Sequence, residues 1–334
     1  MTINVADYNG NWNAAIAAAV ANGAPDVKGN GGTYPVTTPI IIPETAKRLT
    51  IDFGWSLFDA VGYNGTVLKI ADRFTAADRA ENVTLRRFRI NGSGGTDAAT
   101  AASIGLEVGN SLVTTIEDAV IQNMGGRGVV ADKPSAGSTT LIAQQLELNR
   151  VTVRWTGEEA FDIGRVRPLD SIIARNCFAN HAGERLTSVP KARGGVYIAA
   201  YMADLHGWEV SGIGNPDGVT GFLNAMVVRK AAGRVSAMHF EDNCNNQPGS
   251  ADLLLDTDAN GLVVSGTSHS FGGNGARWCV ETSSKGNRIE GTHSAGNNAQ
   301  DTHDIIIHRN NATDCEVGPI SYSYAPKNTP IYGG

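Results

Sequence analysis

The apolar residues of this chain recur in one short pattern. Val235, Met238 and Phe240 lie at offsets 0, +3 and +5 of one copy. The last two have the spacing of a strand with one buried side, so His239 and Glu241 should point towards solvent. Further copies start at Leu85, Ile116, Leu148, Ala174 and Leu205, and weaker copies start at Leu262, Ile289 and Val317. Successive copies begin 26 to 32 residues apart, which identifies a structural repeat.

Many copies contain a second apolar strand after a glycine turn. Examples start at Ala160, Gly195, Asp252 and Trp278. A strand, a turn and a second strand per repeat are typical of one coil of a solenoid, whereas an antiparallel sandwich has shorter and less regular spacing. We therefore predict an all-β fold, a single solenoid of stacked parallel coils. Its interior should include Phe88, Val151, Trp208 and Met238.

Residues 11–22 have a helical periodicity instead. One apolar stripe is formed by Trp12, Ala15, Ile16, Ala19 and Val20. Asn11 can cap the start of this helix, and Gly23 suits its left-handed end. Because a solenoid exposes an apolar end that a terminal unit must cover, we predict that this helix is the N-terminal cap.

The segments after this helix resemble a known superfamily. They read Gly31-Gly-Thr-Tyr-Pro-Val-Thr-Thr-Pro-Ile-Ile-Ile-Pro43 and Asn82-Val-Thr-Leu-Arg-Arg-Phe-Arg-Ile-Asn-Gly92. An Ala-rich helix followed by the first segment resembles the N-terminal cap of the pectate-lyase-like superfamily, and the second segment resembles one of its coils. The chain departs from the family pattern Gly-Asp-Gly-x-x-Asp-Asp before the cap helix, where Asp7 is the only acidic residue.

This resemblance implies a right-handed parallel β-helix. Many members cleave polysaccharides, among them phage tailspikes and depolymerases, bacterial lyases and uronan epimerases. We predict an N-terminal cap with the first coils over residues 1–80, further coils over 81–324 and an irregular tail over 325–334. Many tailspike-like members are trimers, so the resemblance leaves a homotrimer open, although the sequence contains no coiled-coil heptads.

Charge and composition limit the classes of partner that this chain is expected to bind. With 27 basic and 33 acidic residues the net charge is -6, so there is no general basic field for nucleic acid. No apolar run is long enough for a membrane span. The N-terminus has no secretory signal peptide, which favours a phage virion component or a cytoplasmic protein, or export by another route. The cysteines, expected to be free thiols, are Cys177, Cys244, Cys279 and Cys315.

The repeat also predicts which polar side chains are neighbours, because equivalent positions of consecutive coils stack about 4.8 Å apart. Glu209, His239 and Glu241 fall on one exposed side of adjacent coils, and the second strands place Asp162 beside Tyr197. The predicted catalytic residues are Glu209, Glu241, His239 and Asp162, and the predicted substrate-binding residues are Arg154, Asn180 and Tyr197. We expect no cofactor and no metal site, and calcium is the one ion left open.

These residue types fit glycan chemistry in more than one way. A hydrolase needs two carboxylates roughly 5–10 Å apart, which suits Glu209 and Glu241. A lyase or epimerase needs a base such as His239 or Tyr197, and Arg154 would offset the charge of a uronate. The leading hypothesis is binding and cleavage of a polysaccharide by hydrolysis or elimination. Because solvated strand faces are polar in any case, the alternatives are a non-catalytic glycan-binding β-helix of a phage tail or cell surface and a uronan epimerase.

Overall fold

The apolar repeat folds into a right-handed parallel β-helix with a single α-helix near the N-terminus, as a computed structural model shows. This confirms the architecture predicted from the pattern and implied by the resemblance. The structure describes residues 1–60, 62–71, 79–92, 102–131, 145–183, 193–214, 224–243, 250–271, 278–296, 304–308 and 312–322. Cys244 and the predicted irregular tail at 325–334 lie outside the described residues.

Three faces surround the interior. A sharp bend divides one sheet into a first face and a second face, and a separate sheet forms the third face. At the bend one residue per coil has φ between 51° and 67°, the left-handed region in which Gly, Asn and Asp are favoured. The bend residues include Arg87, Asp118, Arg150, Asn176, Gly207, Ala237, Gly266 and Gly291.

The strands are distributed over the faces as follows. Four strands run through the first and second faces: Thr50–Asp59, Val83–Asn91, Val113–Met124 and Gln145–Thr156. The first face also contains Thr2–Asn4, Asp26–Lys28, Leu169–Arg175, Ala232–Ser236, Leu262–Ser265, Arg288–Glu290 and Glu316–Val317. The second face also contains Thr33–Pro35, Phe178–Ala182, Glu209–Ser211, His239–Glu241, Ser268–Phe271, Thr292–Gly296 and Ile320–Tyr322.

The third face contains Ile40–Ile42, Thr66–Ile70, Ile104–Val108, Arg127–Ala131, Phe161–Ile163, Asn224–Arg229, Ala251–Leu255, Trp278–Thr282 and Asp304–His308. The strand Gly194–His206 leaves the third face and continues into the first face of the same coil. Each strand pairs in parallel with its equivalent in the next coil, so residues about 30 positions apart become neighbours.

The interior is built from the offsets 0, +3 and +5 of the repeat. The predicted core residues Phe88, Val151, Trp208 and Met238 are all buried. The indole nitrogen of Trp208 donates a hydrogen bond to the carbonyl oxygen of Ala174 at 3.0 Å, which satisfies its one polar atom. Trp208 is therefore a core residue.

The described cysteines are free thiols, as expected: Cys177, Cys279 and Cys315. Burial raises the pKa of the Cys177 thiol to about 12, so this group stays protonated and behaves as a small apolar core residue.

The N-terminal helix spans Trp12–Ala21 and agrees with the predicted cap. The Asn11 side chain accepts a hydrogen bond from the Ala14 backbone nitrogen at 3.0 Å, and Gly23 has φ 62°. Trp12 packs against Phe53 with ring centroids 4.7 Å apart. The helix thereby covers the apolar interior at this end of the solenoid.

The structure differs from the predicted register in one copy of the repeat, by two residues. Val235 pairs with Val264 rather than with Leu262, so the seventh copy begins at Val264. Its inward positions are then Thr267 and His269, both buried. Because these two inward residues are polar, this copy lacks the apolar pattern at offsets +3 and +5. The sequence pattern therefore predicts its start at Leu262, two residues too early.

The same polar residues form a buried network inside the solenoid. His269 Nδ1 lies 2.8 Å from Asp252 Oδ2, and His269 Nε2 lies 3.1 Å from Thr267 Oγ1. Asn243 Nδ2 donates to the other Asp252 oxygen at 3.2 Å. The imidazole is stacked on Phe240 with centroids 5.0 Å apart. Both oxygens of the buried carboxylate therefore have partners, as burial of a charged group requires.

We expect Asp252→Ala to lower the free energy of unfolding by about 3 kcal/mol, because it breaks a buried hydrogen-bonded pair and leaves the imidazole nitrogen Nδ1 without this acceptor. The matched control is Asp170→Ala, which removes an exposed carboxylate of the first face and should change stability by less than about 0.5 kcal/mol. Urea denaturation followed by circular dichroism measures both. Equal effects of the two substitutions would contradict a stabilising role for the network.

Candidate functional site

The second face carries the cluster that the repeat predicted. Glu209 lies beside His239 and Ser211 lies beside Glu241 in the parallel register of two adjacent coils. Between them Val210 points inward and is fully buried, which fixes the outward direction of its neighbours. We call Glu209, His239 and Glu241 the acid–histidine patch. Their placement on one solvent-exposed side agrees with the prediction.

The geometry of the patch brings acid and base groups within reach of each other. His239 Nε2 lies 3.7 Å from Glu241 Oε2, and their side chains are 42% and 47% exposed. Glu209 is exposed as well. One strand spacing and a two-residue step separate the Cα atoms of Glu209 and Glu241 by about 8 Å. A substrate lying on the patch could contact both carboxylates and the imidazole.

Two predicted binding residues lie on the preceding coils of the same face. Arg154 is beside Asn180 in the register, and Asn180 is beside Ser211. Arg154 donates from Nε and Nη2 to Gln122 Oε1 at 3.0 and 2.7 Å. Asn180 Nδ2 donates to Ser211 Oγ at 2.9 Å. These contacts hold the guanidinium and the amide in place next to the patch.

The outer edge of this face contains residues that the sequence analysis did not identify. Trp155, His181, Gly212 and Asp242 occupy offset +7 of four successive copies, and each has φ between 50° and 60°. Trp155 is 37% exposed, and the Arg154 guanidinium lies 4.5 Å from the centroid of its ring. The repeat itself aligns these residues in one column, which follows the outward strand positions +4 and +6 that carry the predicted site.

His181 is the half-buried member of this edge. Burial lowers the pKa of its imidazole, so the ring is neutral at neutral pH. The ring lies against Gly212, where a Cβ atom would come within 3.0 Å of Nδ1. Gly212 therefore leaves room for the imidazole, which is a second basic group near the patch.

Asp162 and Tyr197 are neighbours in the register, as predicted, but they belong to the third face rather than to the face of the patch. Both are buried, at 0% and 3% exposure. Arg127 Nη1 and Arg165 Nε each donate to Asp162 at 2.7 Å. Burial raises the pKa of Tyr197. The seven predicted site residues therefore lie on two separate sheets.

The surroundings of Asp162 form a buried ionic cluster. The guanidinium groups of Arg165 and Arg193 both contact the carboxylate of Glu159, which is fully buried. Arg165 also lies 5.1 Å from the centroid of the Tyr197 ring. Buried carboxylates paired with arginine are costly to break, so this cluster orders the turns that join the second and third faces. Its arginines come from different coils, and the sequence contains no signal for their meeting.

Within the described ranges, no group of three or more His, Cys, Asp or Glu side chains could hold a metal ion. In the same part of the chain no helix is long and apolar enough to cross a membrane.

Comparisons with known proteins concern the fold. No protein-family model matches the sequence, and no curated protein matches it significantly. PfbA, a surface adhesin of Streptococcus pneumoniae, is 12% identical, over 97% of this chain and 93% of that chain, with a TM-score of 0.48. The A-module of the Azotobacter vinelandii mannuronan C-5 epimerase AlgE4 is 13% identical, over 100% of both chains, with a TM-score of 0.46. Tailspike protein 3 of bacteriophage CBA120 is 10% identical, over 100% of this chain and 60% of that chain, with a TM-score of 0.44.

The lowered pKa of His181 predicts a pH dependence of stability. The unfolded chain binds a proton at this imidazole near its ordinary pKa of about 6.5, whereas the folded chain binds it only at lower pH. The unfolded state therefore binds more protons as the pH falls below about 6.5, and the free energy of unfolding decreases.

We expect His181→Asn to weaken this decrease, and asparagine accepts the left-handed backbone at this position. Urea denaturation of both proteins from pH 7 to about pH 5 measures the difference. Parallel stability curves for the wild type and the variant would show that His181 has an ordinary pKa.

Proposed function

We propose that the second face binds an extended polysaccharide and that the acid–histidine patch cleaves it. The observation that carries this proposal is the register of two adjacent coils, which places two carboxylates and an imidazole side by side on an exposed surface. Hydrolysis or elimination at a glycosidic bond needs these groups within one sugar unit of each other.

The face also supports binding along the solenoid axis. From Arg154 to Glu241 it spans four coils, which corresponds to about 14 Å at three strand spacings. Trp155 offers an exposed ring for the apolar side of a sugar, and the neighbouring Arg154 orients that ring. Asn180 supplies an amide next to the patch, and the buried Ser211 holds it there by accepting its hydrogen bond. A glycan chain on this surface would run across the patch.

For hydrolysis, Glu209 would donate a proton to the leaving oxygen and Glu241 would activate water. Their Cα atoms are about 8 Å apart. If the two side chains project in parallel, the carboxyl groups keep roughly the separation of inverting glycosidases, in which a water molecule fits between base and sugar. His239 lies beside Glu209 in the register, and its Nε2 atom is 3.7 Å from Glu241 Oε2. Its imidazole can also carry a proton between the two.

For elimination on a uronate, an imidazole would act as the base. His239 and His181 both lie on this face, and burial keeps His181 neutral. Arg154 would offset the charge of the sugar carboxylate. A uronan epimerase would use the same groups to remove and return a proton without breaking the chain.

A non-catalytic glycan-binding surface is the second candidate function. The observation that favours it is the open position of His239 and Glu241, whose side chains are 42% and 47% exposed. General acids and bases usually depend on burial to adjust their pKa values, and these two are surrounded by water. An adhesive β-helix would use the same face for binding alone.

If the patch is catalytic, Glu209→Gln and Glu241→Gln should each lower turnover by about a hundredfold or more, because each removes one acid–base group. Glycan affinity should be kept, since the amide preserves the shape of the side chain. The matched control is Glu316→Gln, an exposed glutamate of the first face, which should retain full activity. Turnover in both variants equal to that of the wild type, with unchanged melting temperatures, would exclude the catalytic role.

The reaction products distinguish hydrolysis, elimination and epimerisation. Incubation with a panel of purified bacterial and algal glycans, followed by chromatography, should show shorter chains. New reducing ends without ultraviolet absorbance indicate hydrolysis, and unsaturated, absorbing ends indicate elimination. A changed sugar configuration at constant chain length indicates epimerisation. Binding without any product supports the adhesive candidate.

A further inference from the structure

A separate groove of about 550 Å³ lies on the first face, away from the acid–histidine patch. It crosses four consecutive coils, in the strands Leu169–Arg175, Gly194–His206, Ala232–Ser236 and Leu262–Ser265. Outward side chains in its lining are Ser171, Ile173, Met202, Asp204, Arg234 and Val263. Its volume is in the range of sites that bind small organic ligands, roughly 300–1,000 Å³.

The groove has an apolar surface that is open to solvent. Met202 is 56% exposed, and Ile173 and Val263 are half-buried. Tyr201 precedes Met202 in the chain and is 57% exposed, but it does not line the groove. Large apolar side chains that are exposed together, with polar groups around them, mark binding surfaces more often than isolated ones do. A ligand with an apolar side would cover this surface.

The charges at the groove are not balanced. Asp204 is paired with Arg175, whose Nη2 atom lies 3.1 Å from Asp204 Oδ2. Arg234 is exposed and makes no ion pair with any described residue. Arg234 lies beside Asp204 in the register, but Asp204 is paired with Arg175, so the Arg234 guanidinium lies over an apolar surface without an ion pair to a described residue. The groove therefore suits a ligand that carries a carboxylate or a sulfate.

The backbone of the groove argues against a peptide ligand. Ala203 pairs with Ile172 in the coil before it and with Gly233 in the coil after it, so its strand has neighbours on both sides. A peptide that binds by strand addition would need a free strand edge for its backbone hydrogen bonds. Recognition at this groove relies on side chains: apolar groups, the Ser171 hydroxyl and a guanidinium.

We propose that this groove is a second glycan-binding site, which holds an acidic segment of a polysaccharide. An acidic sugar chain combines apolar C–H sides, hydroxyl groups and carboxylate or sulfate groups, and each has a counterpart here. The inference rests on the proposed function in taking a polysaccharide as the ligand. It needs no cleavage at the patch, because the groove and the patch are on different faces.

The test measures binding in a chain that cannot cleave its ligand. Isothermal titration of the Glu209→Gln, Glu241→Gln double variant uses polygalacturonate, alginate, hyaluronan and heparin as acidic probes and dextran as the neutral probe. We expect at least one acidic probe to bind, and we expect Arg234→Gln and Met202→Ala to weaken that binding at least tenfold each. Both side chains are exposed, so thermal unfolding should be unchanged.

The matched control is Arg288→Gln. Arg288 lies in the same outward column of the first face, one coil beyond Val263, but it is paired with Glu290 at 2.8 Å. It should leave the affinity for the acidic probe unchanged. Binding of dextran as tight as that of the acidic probe would overturn the proposed role of Arg234.

Three further results would overturn the inference: no binding of any acidic probe, equal affinity in the groove variants and their parent, or an oligomer that Met202→Ala converts to monomers in sedimentation. The last result would mean that a second copy of the chain covers the groove. If the groove does not bind glycan, the chain without the Glu209→Gln and Glu241→Gln substitutions should still cleave its substrate. If the patch is not catalytic, Arg234→Gln and Met202→Ala should still weaken binding, so the two failures are distinguishable.

Discussion

Backbone hydrogen bonding between parallel coils is the constraint on which the rest of this structure depends. It holds each coil about 4.8 Å from the next and places every residue beside its equivalent roughly 30 positions further along. Because Val210 and Phe240 point into the interior, Glu209 and His239 point outward and lie side by side on the surface. The candidate site is a direct product of this register.

Burial gives the same residue types different roles on different faces. Asp162 and Glu159 are fully buried on the third face side, where arginines neutralise them, and they order the turns of the solenoid. Glu209 and Glu241 are open to solvent on the second face and remain available to a ligand. A buried carboxylate that already accepts hydrogen bonds from arginine is poorly suited to take a proton from a substrate.

The polysaccharide proposal and the groove proposal use two different surfaces of one rigid scaffold. The left-handed positions at the edge of the second face place Trp155 and His181 on the two coils that precede the patch. The first face instead combines exposed apolar groups with the available guanidinium of Arg234. A long glycan can contact several faces of a solenoid, so binding and cleavage need not share one location.

The sequence by itself determined the architecture, the cap helix and the alignment of Glu209, His239 and Glu241, because a solenoid makes the repeat a direct record of which residues are neighbours. Where the interior is polar, at Thr267 and His269, that record failed. Only the tertiary structure decided that Asp162 is buried among arginines and that the first face has a groove. A periodic pattern specifies whether a side chain points in or out, whereas burial on the outside depends on side chains from several coils, whose meeting no local pattern records.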